Sequence, residues 1–403
     1  MTAVLSSLTP QLRQYLIVTG NYWAFTLTDG ALRMLVVLHF HQLGYSPLAI
    51  ALLFLFYEFF GVVTNLFGGW LGARIGLNRT MNIGLGMQVL ALTMLLVPSA
   101  MLTVPWVMLA QALSGIAKDL NKMSAKSSVK QLVPANAEGT LYKWVAILTG
   151  SKNALKGAGF FLGGALLTLL GFQGAILVMA VVLSAVWLLS LWSLKEDLGR
   201  AKNKPKFSQI FSKSRAVNYL SAARMFLFGA RDIWFVVALP VYLASTLGWD
   251  HWSVGGFLAL WVIGYGIIQS VAPYFTGKRS GRVPGGREAF LWASGLLLLP
   301  ALIALSLTHN LYPHIVLLAG LLIFGGVFAI NSSLHSYLIV SYARDDGASM
   351  DVGFYYMANA MGRLIGTVLS GYLFQIAGLT ACLWVSAVFL ATAAAISLFL
   401  PRA

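Results

Sequence analysis

The sequence predicts an all-α membrane protein with twelve transmembrane helices, arranged as two pseudo-symmetric six-helix bundles with both termini cytoplasmic. Three observations predict it. Of 403 residues, 59% are hydrophobic and 10% charged, against roughly 45–50% and about 25% in soluble domains. Apolar runs of about 20 residues, the length that crosses a hydrocarbon core of about 30 Å, recur twelve times. One long basic stretch then separates six runs from six.

Taken in order, the first two spans, 14 to 38 and 46 to 72, part at the turn QLGYSP. A glycine-rich basic loop leads to the third, 81 to 100, and the fourth, 103 to 124, runs into lysines. Spans 141 to 169 and 173 to 194 complete the first set. The connection KEDLGRAKNKPKFSQIFSKSR follows, so the expected division is a bundle over 1–194, a cytoplasmic basic linker over 195–216 and a second bundle over 217–403. Spans 217 to 245 and 252 to 275 part at TLGWDH, and a basic loop with Lys278, Arg279, Arg282 and Arg287 precedes 289 to 307. The last three are 313 to 339, 352 to 376 and 379 to 400. An internal echo supports two related halves: QLGYSPLAIALLFLFYEFFG resembles TLGWDHWSVGGFLALWVIGYG, with Gly44 answering Gly248 at an offset of 204. In membrane proteins, paired bundles of this kind hold a substrate site near the midplane. The fold therefore points to a transporter.

The basic residues set the orientation. Nineteen of the 27 lie at the termini, in connections after even-numbered spans or, for Lys143, at the adjoining start of the fifth span, Arg74, Arg79, Lys126 and Lys130 among them, while loops after odd-numbered spans hold none. By the positive-inside rule both termini face the cytoplasm. The start, MTAVLSSLTPQLRQY, is short and polar, lacks an Ala-x-Ala-type cleavage site and reads as a retained cytoplasmic end. The rule also accounts for most of the net charge of +15, which calls for no nucleic acid. A soluble dehydrogenase or nucleic-acid enzyme is excluded. Cys382 is the single cysteine, so there is no intramolecular disulfide and no cysteine metal site. No cofactor or metal is expected.

Apart from Lys143 at the start of the fifth span, eight basic residues fall inside the spans: Arg33, Lys118, Lys122, Lys152, Lys156, Arg224, Arg231 and Arg363. Four acids join them, Asp29, Glu58, Asp119 and Asp232. A charge at the bilayer centre costs about 2.5–3.5 kcal/mol, so four surplus cations would cost on the order of 10–14 kcal/mol unless something neutralised them. A polyanionic substrate would offset that. Lys118, Lys122, Lys126 and Lys130 repeat every four residues, as do Lys152 and Lys156, so each set lines one helix face. Lys126 and Lys130, at the cytoplasmic end, read as snorkelling. For Lys118, Lys152 and Lys156 two readings stand, an anion path or structural pairing with Asp119 or Glu58, and Lys122 lies between these cases.

Asp29 and Arg33 are four apart and either neutralise each other or serve the site. Arg231 and Asp232 are adjacent, and helix neighbours do not share a face, so one of them must find a partner elsewhere. Arg224 and Arg231, two turns apart, stack on one side, and Arg363 has no acid within a turn. Arginine is the bidentate ligand for phosphate, arsenate or carboxylate, and lysine a point charge. The expected substrate ligands are therefore these eight cations, led by Arg33, Arg231 and Arg363. Proton coupling would use Asp29, Glu58 or Asp119. Asn21, Asn65, Asn153, Asn331, Ser332, Ser333 and Asn359 read mostly as helix-to-helix bonds, and His335 as a structural histidine or one that titrates near neutrality. The 12 Trp and 15 Tyr suit interfaces and cavity walls, and none is singled out.

The loop GGWLGARIGLNRT resembles the cytoplasmic gate motif of the major facilitator superfamily through Gly69, Arg74, Gly76 and Arg79, with Ala73 where that family has an acid. Gly159, Gly163 and Gly164 resemble its antiporter signature, with Phe160 in place of proline. Over almost the whole chain, NYWAFTLTDGALRMLVVLHFHQLGYSP, ALSGIAKDLNKMSAKSSVK and YKWVAILTGSKNALKGAGFFLGG resemble the ArsJ-type organoarsenical efflux permeases. That resemblance implies export of 1-arseno-3-phosphoglycerate and arsenate resistance, with a glyceraldehyde-3-phosphate dehydrogenase as the functional partner that supplies the substrate. It brings no ligand set. An organophosphate:phosphate exchanger is the alternative. A membrane enzyme lacks any His/Asp or Cys/His constellation at suitable spacing, and a sensor lacks an output domain.

Overall fold

The computed structural model describes residues 9–44, 53–134, 137–194, 198–202, 212, 214–249, 251–276 and 284–401. Among them the regular structure is helical, with no strand: α1 (Pro10–Gln42), α2 (Leu55–Ile75), α3 (Leu77–Met94), α4 (Val104–Leu132), α5 (Glu138–Ser193), α6 (Arg215–Phe235), α7 (Ala238–Ser245), α8 (His251–Thr276), α9 (Gly286–Thr308), α10 (Pro313–Tyr342) and α11 (Ala348–Ser397). Among the described residues six helical segments are long and apolar enough to cross a membrane: α5, the α6–α7 stretch Arg215–Leu243, most of α8, and α9, α10 and α11. In lipid every backbone polar group needs an internal partner, which helices supply.

Two of those segments break internally. α5 has 56 residues and α11 has 50, and each contains one glycine at positive φ, Gly171 at 67° and Gly378 at 71°. Side-chain-bearing residues rarely adopt that conformation. Both glycines lie where the sequence leaves a gap between expected spans, at 170–172 and 377–378. α6 and α7 also part by a short break, at Val236 and Val237. There the Ser370 hydroxyl accepts from the backbone N–H of Val237 at 3.3 Å and of Ala238 at 3.1 Å, satisfying donors that the break exposes.

The chain resolves into two compact units that do not simply follow chain order. The first comprises 1–137, 155–212 and 343–357, and the second 138–154, 213–342 and 358–403. Within the first unit α4 packs against α1, α2 and α3. α1 approaches α5 closely, since a Cβ on Gly159 would lie 2.7 Å from the Leu27 carbonyl and one on Gly163 2.5 Å from that of Ala31. Within the second unit α10 packs against α6, α8 and α9. Its core centres on Trp234, Trp261, Tyr265, Phe324 and Phe328. The same close approach recurs between α6 and α11, where a Cβ on Gly366 would stand 2.7 Å from the Gly229 carbonyl and one on Gly362 would overlap that of Met225. Small residues let backbones meet in lipid, where no hydrophobic force drives helices together.

Candidate functional site

In the first unit the charged residues of α1 and α4 gather around Tyr57 of α2. The Tyr57 hydroxyl donates to both oxygens of Asp29, at 2.7 and 3.0 Å. Its ring faces the Lys118 ammonium at 3.7 Å and the Arg33 guanidinium at 4.7 Å, and Arg33 also stands 5.1 Å from the Phe54 ring. One helical turn supplies the next contact: Asp119, 1% exposed, holds Lys122 at 2.5 Å and Lys118 at 4.0 Å. Lys122 and Lys126 then face the Tyr356 ring at 4.8 and 4.9 Å. Lys126 is 3% exposed, so the expected snorkelling lysine is buried among protein atoms instead. The fourth member of the row, Lys130, sits 3.6 Å from the exposed carboxylate of Asp345. Glu58 lies on α2, and its side chain falls outside the described residues.

Lys156, half-buried, sits on the part of α5 that passes α1, and a Cβ on Gly30 would be 2.8 Å from its carbonyl. Lys152, one turn earlier and also half-buried, falls in the second unit. The structure thus divides these two lysines between units.

In the second unit Asp232 of α6, fully buried, carries two arginines. Arg231 reaches it at 2.5 and 2.6 Å and Arg363 of α11 at 3.2 Å. The expectation that adjacent Arg231 and Asp232 point apart is corrected here. The arginine stem is long enough to swing back to its neighbour, so the one-residue rule for short side chains does not bind it. The acid that Arg363 lacks on its own helix is 131 residues away in sequence. Arg224 and Arg231 do share a helix side, since both face Phe228, at 3.8 and 5.0 Å. Arg224, 3% exposed, donates to Asn359 at 2.8 Å and to the Ser332 carbonyl at 3.2 Å.

A chain of neutral groups adjoins Arg224. Asn153 donates to Gln269 at 2.6 Å, Gln269 to the Ser332 hydroxyl at 2.9 Å, and Tyr265 to the same hydroxyl at 2.8 Å. Of the amides singled out in the sequence, Asn153 and Asn359 join this chain, whereas Asn21 bonds helix to helix through Ser190 at 2.8 Å. Asn65 bonds the Gly61 carbonyl of its own helix. His335 is fully buried, and neither ring nitrogen has a hydrogen-bond partner among the described residues.

The gate-motif glycines stand at tight approaches. A Cβ on Gly69 would overlap the Ser349 carbonyl, and the Ser349 hydroxyl donates to the Gly69 carbonyl at 2.7 Å. Gly76, with φ 99°, separates α2 from α3. Arg74 faces the Trp70 ring at 5.1 Å, and Arg74 and Arg79 are both exposed. Where the motif's acid would stand, Ala73 packs under Ala201 and Met350 and accepts from the Ala201 N–H at 2.8 Å. The buried carboxylate of this region is one the sequence did not single out, Asp351. It accepts from the Arg344 backbone at 3.1 Å, from the Arg344 guanidinium at 3.0 and 3.1 Å and from Ser212 at 2.8 Å. The bond to Asp351 holds the Arg344 guanidinium above its ordinary proton affinity.

In each unit, then, a buried carboxylate takes two cations, Asp119 with Lys118 and Lys122 and Asp232 with Arg231 and Arg363.

A sequence profile described as the Major Facilitator Superfamily matches residues 16–350. No curated protein matches by sequence. Among solved structures the chain is similar to the human organic anion transporter MFSD10, at TM-score 0.76 and 16% identity, covering 97% of this chain and 100% of that one. The E. coli fucose:proton symporter FucP matches at TM-score 0.73 and 12% identity, over 97% and 99%. A bacterial homologue of the iron transporter ferroportin matches at 0.70 and 15%, over 95% and 98%. At these identities the likeness is one of fold.

Proposed function

The chain belongs to the Major Facilitator Superfamily, and from that premise we propose that this multi-pass membrane transporter exports a polyanionic organoarsenical, 1-arseno-3-phosphoglycerate, by alternating access. In this reading twelve spans form two six-helix bundles in a bacterial inner membrane with both termini cytoplasmic, and a glyceraldehyde-3-phosphate dehydrogenase makes the substrate when it uses arsenate in place of phosphate.

The observation that carries the polyanion is the pair of clusters in which Asp119 and Asp232 each hold two cations. A charge pair at 4 Å is worth about 4 kcal/mol at an effective dielectric of about 20, so a ligand with two or more negative groups gains where a neutral sugar does not. Arg33, Arg224, Arg231 and Arg363 offer forked donors to phosphate or arsenate, and Lys118, Lys122, Lys152 and Lys156 add point charges. Asp29, under the Tyr57 hydroxyl, and Asp119 are the described candidates for a coupled proton, with Glu58 the third. The arsenical itself rests on the resemblance to the ArsJ-type permeases.

The test is arsenate tolerance and intracellular arsenic in sensitive cells expressing the permease with and without the dehydrogenase. Tolerance with lower arsenic only when both are present is the expected result. Tolerance from the permease alone would make arsenate the cargo. No effect despite confirmed membrane expression would remove the arsenical, and counterflow against phosphate would then identify an organophosphate exchanger.

A further inference from the structure

Part of the basic connection between the two sets of spans, residues 198–202, lies across the turn from α2 to α3. The Leu77 N–H donates to the Leu198 carbonyl at 2.8 Å, and the Ala201 N–H donates to the Ala73 carbonyl at 2.8 Å. The two bonds fall on either side of Gly76, so the segment grips the turn at both shoulders. Gly199 makes the fit possible, since its φ is 69° and a Cβ there would overlap the Leu77 side chain. The same segment reaches the start of α11, where the Lys202 N–H donates to the Asp346 carboxylate at 2.9 Å. Beneath it Ala73, Ala201 and Met350 form a small buried apolar cluster.

α11 is shared between the units: residues 343–357 group with the first, and the helix from 358 onward groups with the second. Its start is seated on α2 through the Ser349 hydroxyl, which donates to the Gly69 carbonyl at 2.7 Å. Alternating access requires such a helix to change company, so its start must leave α2 in one of the two states. The segment 198–202 is bonded to both sides of that parting line, but by different means. On the α2–α3 side both bonds run from backbone to backbone, and breaking them would move the main chain. On the α11 side the acceptor is the exposed side chain of Asp346, which can rotate away into water. The parting line therefore falls at Asp346.

We propose that residues 198–202 form a strap that rides permanently on the α2–α3 turn and, through Asp346, fastens the start of α11 onto α2. The strength of that fastening sets how readily this face of the transporter opens. The connection between the halves is then part of the gate as well as a tether. This inference rests on the alternating-access part of the reading above and is independent of the cargo.

The experiment uses the full-length protein in lipid nanodiscs, with Cys382→Ala as the background and one reporter cysteine at a time, read as the labelling rate with a water-soluble maleimide. Met350→Cys, 6% exposed in the parent position, reports the strap lifting; Ser349→Cys, at 1%, reports α11 lifting from α2. Asp346→Ala should speed both reporters by about fivefold, the effect of one lost hydrogen bond. Gly199→Ala, which touches neither α2 nor α11 except through the strap, should speed both by about tenfold. Lys202→Ala should change either rate by less than about twofold, because the bond comes from the main chain. Faster labelling of Met350→Cys alone overturns the inference, since a strap that only packs would fray without freeing α11. No acceleration at either reporter overturns it too, as does a Lys202→Ala effect equal to that of Asp346→Ala, which would make the contact a general charge attraction. If parent Ser349→Cys stays unlabelled in nanodiscs yet labels fully in SDS, this face does not open. The alternating-access reading then fails, and the inference with it.

Discussion

Asp232→Asn removes one negative charge without changing shape, and it leaves the Arg231 and Arg363 guanidinium groups facing an amide. Breaking a buried ion pair by deleting one partner costs about 3–5 kcal/mol, much of it the cost of the orphaned charge. Here the carboxylate is fully buried, but the Arg231 and Arg363 side chains are 15% and 35% exposed, so water screens part of the damage. The lower end, about 3 kcal/mol, is the expected loss. At about 2–4 °C per kcal/mol for 150–250 residues, the melting temperature should fall by roughly 6–12 °C. Cys382, the one cysteine of the chain, is fully buried in the same unit. A thiol-reactive coumarin therefore stays dark on the folded protein and lights up as this unit opens. Adding Arg363→Gln to Asp232→Asn removes one orphaned cation and should recover about half of the loss. Phosphate at millimolar concentration should raise the melting point of Asp232→Asn more than that of the parent, since it restores the missing charge. A fall of less than about 2 °C, or full additivity with Arg363→Gln, would refute the claim that one carboxylate anchors both arginines.

Asp119→Asn repeats the perturbation beside Lys118 and Lys122 and should also cost about 3 kcal/mol, read by the same dye after moving the single cysteine to a buried position of the first unit. Gly362→Ala drives a methyl into the Met225 carbonyl and should lower stability by about 1–3 kcal/mol, whereas Gly371→Ala, with nothing within 4 Å, should raise it by about 0.5–1 kcal/mol. His335→Leu should be neutral or stabilising by about 1 kcal/mol in the melting assay, because among the described residues neither buried ring nitrogen has a hydrogen-bond partner. Asp351→Ala releases the Arg344 side chain and should increase the rate of trypsin cleavage after Arg344 about tenfold, measured by mass spectrometry of limited digests.

The helical skeleton was legible because lipid demands long apolar runs, and because Gly171 and Gly378 announce breaks that only a residue without a side chain accepts readily. The list of charged candidates was legible too, since an intramembrane lysine or arginine stands out in any apolar run. Their wiring was not. Arg363 finds Asp232 across 131 residues, and no spacing rule on one helix points there. Arg231 bonds its own neighbour because a side chain with four rotatable bonds escapes the geometry that governs short ones. Lys126 looked like a solvated end by position, yet Tyr356 and the packing around it bury the lysine. The aromatic rings carried no signal at all: 24 Phe, 15 Tyr and 12 Trp are spread along the chain, and only the tertiary fold selects Tyr57, Tyr356 and Phe228 from them. Asp351 escaped notice because it sits near a helix start, where an acid is ordinary.

The Arg231–Asp232 pair also bears on how the chain enters its membrane. Charged residues resist transfer from the translocon into lipid, but an ion pair formed within one helix travels as a neutral unit. α6 therefore carries its own counterion at the moment of insertion. Arg363 emerges 131 residues later, roughly 7–26 s at about 5–20 residues per second. During that interval Asp232 is already held by its neighbour, and the arrival of α11 brings Arg363 to the other oxygen of the same carboxylate. The early contact thus protects one charged pair on its way into lipid, and the late one ties α11 to α6, separated only by the time it takes to make the chain between them.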